Sequence, residues 1–129
     1  VNKENVIKAY LKGLETGLYE EVVQLFAPSA IVHSPLYGRI EAERFYKELF
    51  SDTQSSKITL KTTFISPNKP DTAAAHFIYS WTMQDGSYVQ FECVDIFEFA
   101  PQSDKIASLT IIYDTYHTRK DFARVHNSK

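Results

Sequence analysis

The chain has 129 residues, 43% of them apolar and 14% aromatic, and its 14 basic and 16 acidic side chains give a formal net charge of -2. That length fits one domain, residues 1–129, while the interspersed charges offer neither a basic field for nucleic acid nor a polybasic anchor for a membrane. A single cysteine excludes an internal disulfide, and with neither a leader nor a long apolar run in the sequence the expected setting is the cytoplasm.

In chain order, Val6, Ile7, Tyr10, Leu11 and Leu14 recur at helical spacing. With Asn2 as a cap and Gly17 as a stop, they predict an amphipathic helix over residues 3–15 that buries Tyr10. A shorter helix is expected over residues 18–26, with Glu20 and Glu21 near its positive end and Pro28 beyond it. Residues 30–33 read as a short strand. The Ser34-Pro35 step and Gly38 then make a turn, and Ala42, Phe45, Tyr46, Leu49 and Phe50 mark the inner stripe of a third helix, with Tyr46 on the apolar side.

From Lys57 onward the period is two, which predicts strands over residues 57–66, 72–83, 87–100 and 105–117. The turns between them fall at residues 67–71, at Asp85-Gly86 and at residues 101–104, and Asp-Gly between two long strands signals a hairpin. Thr118 with Asp121 resembles a capping pair for a last short helix through Val125.

Asp95 stands in the middle of the most apolar strand. Read with a period of two, one face carries Val89, Phe91, Cys93, Asp95, Phe97 and Phe99, so the carboxyl falls among apolar side chains. A carboxylate there either finds a partner or keeps its proton, and a raised pKa of this kind is common at working sites, although structural networks produce it too.

Helices first and sheet second predict an α+β fold. It would be a cone-shaped, strongly curved antiparallel sheet with three N-terminal helices packed on its concave face. The other sheet face, assigned Trp81, Tyr79, Phe77, Glu92, Ile112 and Tyr116, is apolar enough to suggest a homodimer through that outer face.

Three stretches carry a resemblance. The run YLKGLETGLYEEVVQLFAPSAIVHSP at residues 10–35, GRIEAERFY at residues 38–46 and FECVDIFEF at residues 91–99 together resemble the nuclear transport factor 2-like superfamily, in its SnoaL-like and ketosteroid isomerase-like branch, over almost the whole chain. The resemblance implies that Tyr10 is an oxyanion-hole tyrosine, Tyr46 the tyrosine that supports it and Asp95 the protonated acid of the same hole. A phenol and a neutral carboxyl are both donors, able to stabilise a developing enolate or alkoxide. The chain also departs from the family pattern. Ser34 stands where the isomerases carry a proton-shuttling aspartate, and Ile111 stands at the position of the last-strand aspartate of SnoaL-like cyclases and limonene epoxide hydrolase-like enzymes.

With those two acids absent, a general base must come from elsewhere. His76 is the leading candidate, because the resemblance puts its strand face, shared with Ala74, Ile78, Ser80 and Thr82, against the cavity. His33 neighbours Ser34 at the pocket wall. His117 and His126 are expected in solvent, Asp114 as a structural or loop-capping acid, and Cys93 as packing. No metal-ligand spacing is present, and neither a metal nor a cofactor is expected. The expected pocket is walled by Phe45, Ile78, Phe97, Leu109, Ile111 and Tyr113. Its expected use is cofactor-free isomerisation, cyclisation, dehydration or hydration of an apolar small molecule. The alternatives are a binder that has lost its base, or a protein-interaction module of the same fold.

Overall fold

The computed structural model describes residues 2–128. The first helix, α1 (Lys3–Thr16), begins where Asn2 Oδ1 accepts the Asn5 N–H at 3.1 Å and ends at Gly17, whose φ of 72° is strained for any side-chain-bearing residue. Its buried stripe is Ile7, Tyr10, Leu11 and Leu14. A five-residue helix, α2 (Tyr19–Val23), follows and is shorter than the sequence suggests. The chain turns back at once into the first strand, β1 (Phe26–Ser34), which starts earlier than expected and shifts register around Ser29, where φ is 62°.

The stretch read as a turn around Gly38 is itself a short strand, β2 (Gly38–Glu41), hairpinned onto β1. The third helix, α3 (Ala42–Ser51), buries Ala42, Phe45, Tyr46 and Leu49. Four strands follow: β3 (Thr53–Ile65), β4 (Thr72–Met83), β5 (Tyr88–Phe99) and β6 (Ile106–Ile112). The last helix is α4 (Arg119–Asn127).

The α+β architecture is the one the sequence implies: a curved, unclosed six-stranded sheet with the first three helices against it. Its order is β2-β1-β6-β5-β4-β3. Every neighbouring pair is antiparallel except β1 with β6, which run parallel because the helices and the long β3–β5 meander intervene between them. No helix among the described residues is long and apolar enough to cross a membrane.

Two expectations are corrected. Thr118 precedes α4 but makes no side-chain cap, and Asp121 instead pairs with Arg124 at 2.9 Å. More consequentially, the faces of β4 are reversed. A two-residue Asp85-Gly86 connection would set His76 opposite Asp95. The loop has one residue more, because the Met83 N–H bonds the Ser87 carbonyl at 2.8 Å, and Gly86 supplies the positive φ of 90° that such a loop requires. The register therefore pairs Ala75 with Asp95 and Phe77 with Cys93. One residue of slip exchanges the two faces of a strand. Ala73, Ala75, Phe77, Tyr79, Trp81 and Met83 line the buried side of β4, so Phe77, Tyr79 and Trp81 do not belong to the outer face. The outer side carries His76, Ile78, Ser80 and Thr82, with exposed Tyr88 on the neighbouring β5 and exposed Ile112 on the same face of β6.

Candidate functional site

Tyr10 from α1 and Tyr46 from α3 meet inside the cone with their hydroxyls 2.6 Å apart, both rings buried. The helical stripes explain this: each tyrosine occupies the apolar face of its helix, and the two helices lie over the same part of the sheet. Phe97 closes on Tyr10 edge-to-face at 5.4 Å between ring centres, and Phe26 does so at 6.0 Å. Burial raises the pKa of both phenols, so each keeps its proton.

Asp95 rises from the floor of the cone, 2% exposed. Its hydrogen-bond partner is the Cys93 thiol, which donates to Oδ1 at 3.2 Å from two residues away on the same strand face. Desolvation pushes the carboxyl up to about 7, and the thiol offsets only part of that. The Cys93 thiol is itself pushed up by burial and by the adjacent acid, which makes it an unreactive packing group.

A cavity lies between these groups. Its polar lining comes from Tyr10, Ser34, Tyr37, Tyr79, Cys93, Asp95 and Tyr113, and its apolar walls from Leu14, Leu36, Phe45, Leu49, Phe77, Trp81, Phe91 and Ile111. The centre of a water-sized sphere can move through about 40 Å³ of it. Taken as a sphere and widened by the water radius, that space is roughly 180 Å³, the room of one ring rather than of a fused polycycle.

The expected site residues divide cleanly. Tyr10, Asp95, Ser34, Phe45, Ile111 and Tyr113 border the cavity, and Tyr46 stands behind Tyr10. Phe97 and Leu109 are wholly buried in the core but do not border it. Three placements are corrected. His76 points out of the opposite sheet face and pairs with Glu92, and Ile78 shares that face, both because of the β4 register. His33 is exposed, because alternation along β1 turns Val32 and Ser34 to the other side. Ser34 Oγ accepts from the Leu36 and Tyr37 N–H groups at 3.1 and 3.0 Å and so builds the turn between β1 and β2. Asp114 accepts from the Tyr116 N–H at 3.0 Å, the loop-capping role expected of it.

Tyr37, Tyr79, Trp81 and Phe91 were not expected in the wall. Tyr79 and Trp81 follow from the corrected register, since β4 and β5 partners share a face, and Phe91 follows from the β5 alternation that also places Asp95. Tyr37 could not be read locally, because the turn that carries it has no periodicity. It belongs to a second polar group. Tyr37 donates to Asp52 Oδ2 at 2.6 Å, and His126 Nδ1 lies 2.9 Å from the same oxygen. Asp52 is fully buried at the end of α3, and His126, expected in solvent, comes from α4. The tyrosine is pushed well up by burial and by its bond to the carboxylate. Among the described residues no three His, Cys, Asp or Glu side chains converge as a metal site would need.

The fold has solved relatives at low identity. PrhC from Penicillium brasilianum is 14% identical with a TM-score of 0.75, covering 98% of this chain and 91% of that one. TerC, co-crystallised with polyporic acid, is also 14% identical, at 0.73 over 97% and 98%. A protein of ketosteroid isomerase-like fold from Catenulispora acidiphila, in complex with trimethylamine, is 10% identical at 0.72 over 84% and 85%. No curated protein matches the chain by sequence. The family model described as the SnoaL-like domain matches residues 7–109, and with the fold seen here the chain belongs to the SnoaL-like branch of the nuclear transport factor 2-like superfamily.

Proposed function

We propose that the chain binds a small, mostly apolar ring compound inside the cone and polarises one of its oxygen atoms through Tyr10 and Asp95. The observation that carries this reading is a carboxyl with a pKa near 7, enclosed in an aromatic-walled cavity beside a buried tyrosine pair. An acid in such a place costs stability unless it is fully partnered, so its presence there fits a group that meets a ligand. A neutral carboxyl and a phenol can each donate to a carbonyl, epoxide or phenolic oxygen, and one donor of this kind supports roughly 3 kcal/mol of transition-state stabilisation. The reaction class this suits is cofactor-free isomerisation, cyclisation or hydration. Because the cavity has the room of one ring, the ligand is a monocycle or one ring of a larger, partly exposed molecule.

A second reading is a binder without turnover. It is favoured by Ser34, whose oxygen is committed to two backbone donors, and by Ile111, which is inert. In either case the exposed Tyr88 and Ile112 on the outer sheet face would be covered by a second copy of the chain.

The single tryptophan, Trp81, borders the cavity and reports directly on its contents. The test is titration of that fluorescence with cyclic ketones and phenols. Binding weakened at least tenfold by Asp95→Asn or by Tyr10→Phe, with the fold retained, supports the reading. Equal affinity in wild type and both variants would remove it.

A further inference from the structure

Tyr10 and protonated Asp95 face the cavity as donors, and the Tyr37, Asp52 and His126 line adds a hydroxyl whose proton is already tied to a carboxylate. Its three members come from the β1–β2 turn, the end of α3 and the C-terminal helix α4, and they meet at one carboxylate oxygen. Tyr37 borders the cavity. Its ring is held edge-on by Phe45 at 5.1 Å and Phe122 at 4.8 Å, so its position is fixed from both sides. Asp52 is shut from water, while the His126 side chain is 31% exposed and reaches toward Glu48 with its other ring nitrogen at 3.7 Å. A polar path therefore runs from the cavity wall through a buried carboxylate to the surface.

The hydrogen-bond direction decides what Tyr37 can do. Its one proton is committed to Asp52, so its oxygen has only lone pairs left for anything inside the cavity. With Tyr46 as the donor of their pair, Tyr10 is the reverse case, and so is protonated Asp95: each then has a proton to give.

We propose that Tyr37 is the proton acceptor of this cavity, with Asp52 and His126 as its positioning residues, and that the ligand is a cyclic ketone with a removable hydrogen on the carbon beside the carbonyl. The proposal rests on the oxygen-polarising role of Tyr10 and Asp95. In the step it describes, the α C–H bond breaks and its proton goes to Tyr37 Oη as the original Tyr37 proton passes to Asp52 Oδ2. The C–H electron pair becomes the new C=C bond, and the carbonyl π pair moves onto oxygen, where Tyr10 and Asp95 hold it. Tyr37 ends as it began, and the negative charge has moved from Asp52 to the ligand oxygen. Where the ligand carries a C=C bond next to that α carbon, the electron pair spreads to its far end, and return of the proton there gives an isomer with no further reactant. His126 holds Asp52 in place from the solvent side and gives its proton a route to water.

The experiment is deuterium incorporation into cyclohexanone in deuterium oxide, followed by mass spectrometry, with Trp81 fluorescence reporting binding of the same compound. Wild type is expected to exchange the α hydrogens faster than buffer. Tyr37→Phe and Asp52→Asn should each lose at least tenfold of that rate while still binding. His126→Ala should lose several-fold, and His126→Asn, which can still donate to Asp52, should recover part of the loss. Asp52→Asn carries a risk of misfolding, and Tyr37→Phe decides the matter without it. Exchange undiminished in Tyr37→Phe but lost in Asp95→Asn would overturn this proposal and leave the oxygen-polarising site standing. Binding without exchange in wild type would do the same. Absence of both binding and exchange would end both.

Discussion

Cys93 and Asp95 lie two residues apart on the same face of β5, with the thiol donating to the carboxylate at 3.2 Å. A thiol is a weak donor, so this bond offsets little of the cost of burying charge. The acid is thus held from the ordinary range near 3.8 up to about 7. Between those values the unfolded chain has lost the proton and the folded one keeps it, so the folded state binds more protons and stability falls as pH rises. The full difference is roughly 4 kcal/mol at order-of-magnitude level, reached above pH 7 and absent below pH 4. Asp95→Asn, which cannot ionise, should flatten that part of the profile. Urea denaturation of both proteins at intervals from pH 4 to pH 8 reads the difference directly. Parallel profiles would mean that Asp95 is paired and charged in the folded protein.

The tyrosine pair is asymmetric. Tyr10 borders the cavity and Tyr46 does not, so removing one hydroxyl is not equivalent to removing the other. Tyr10→Phe leaves the Tyr46 hydroxyl buried without its partner, a loss of about 1–3 kcal/mol. Tyr46→Phe leaves the Tyr10 hydroxyl able to turn to the cavity and should cost nearer 1 kcal/mol. The double variant should cost less than the sum of the two, because the second change removes the stranded group. Thermal or urea unfolding measures all three. On ligand affinity, Tyr10→Phe should be the more damaging change.

Much of the fold was readable because it depends on periodicity within one element. The α1 stripe placed Tyr10 inside, the α3 stripe placed Tyr46 inside, and alternation along β5 placed Asp95 among Cys93 and Phe97. What failed depended on relations between elements. Both faces of β4 carry apolar residues, so alternation could separate His76 from Phe77 without saying which faced inward. That was decided by a single extra loop residue before Ser87. Tyr37, Asp52 and His126 lie in a turn, at a helix end and near the C-terminus, and nothing local signals that they meet. The part-buried pairing of Asp52 with His126 spans 74 residues.

His76 gives a direct check of the register. It is partly exposed, pairs with Glu92 on the outer face and is remote in direction from the cavity. An exposed pair of this kind contributes about 0–1 kcal/mol. His76→Ala should therefore move the urea midpoint little and leave Trp81-reported ligand binding unchanged. A tenfold loss of affinity would require that the β4 side chains face the other way.

Gly13 sets two opposing effects against each other. It lies inside α1, where alanine is favoured over glycine by about 1 kcal/mol in helix propensity. A Cβ built there would fall 2.7 Å from Val22 Cγ2, and Val22 is fully buried against it. Valine is stiff about χ1, so its methyl cannot swing aside, and α2 would have to move away from α1. Such overpacking costs about 1–3 kcal/mol, which matches or exceeds the propensity gain. Gly13→Ala should accordingly leave the protein no more stable and cost up to about 2 kcal/mol, although it would stabilise an isolated helix. Adding Val22→Ala tests the cause. If the clash is responsible, the double variant will be more stable than the sum of the single effects predicts, and Gly13→Ala will turn from harmful to helpful in that background. Simple additivity would place the effect in α1 alone.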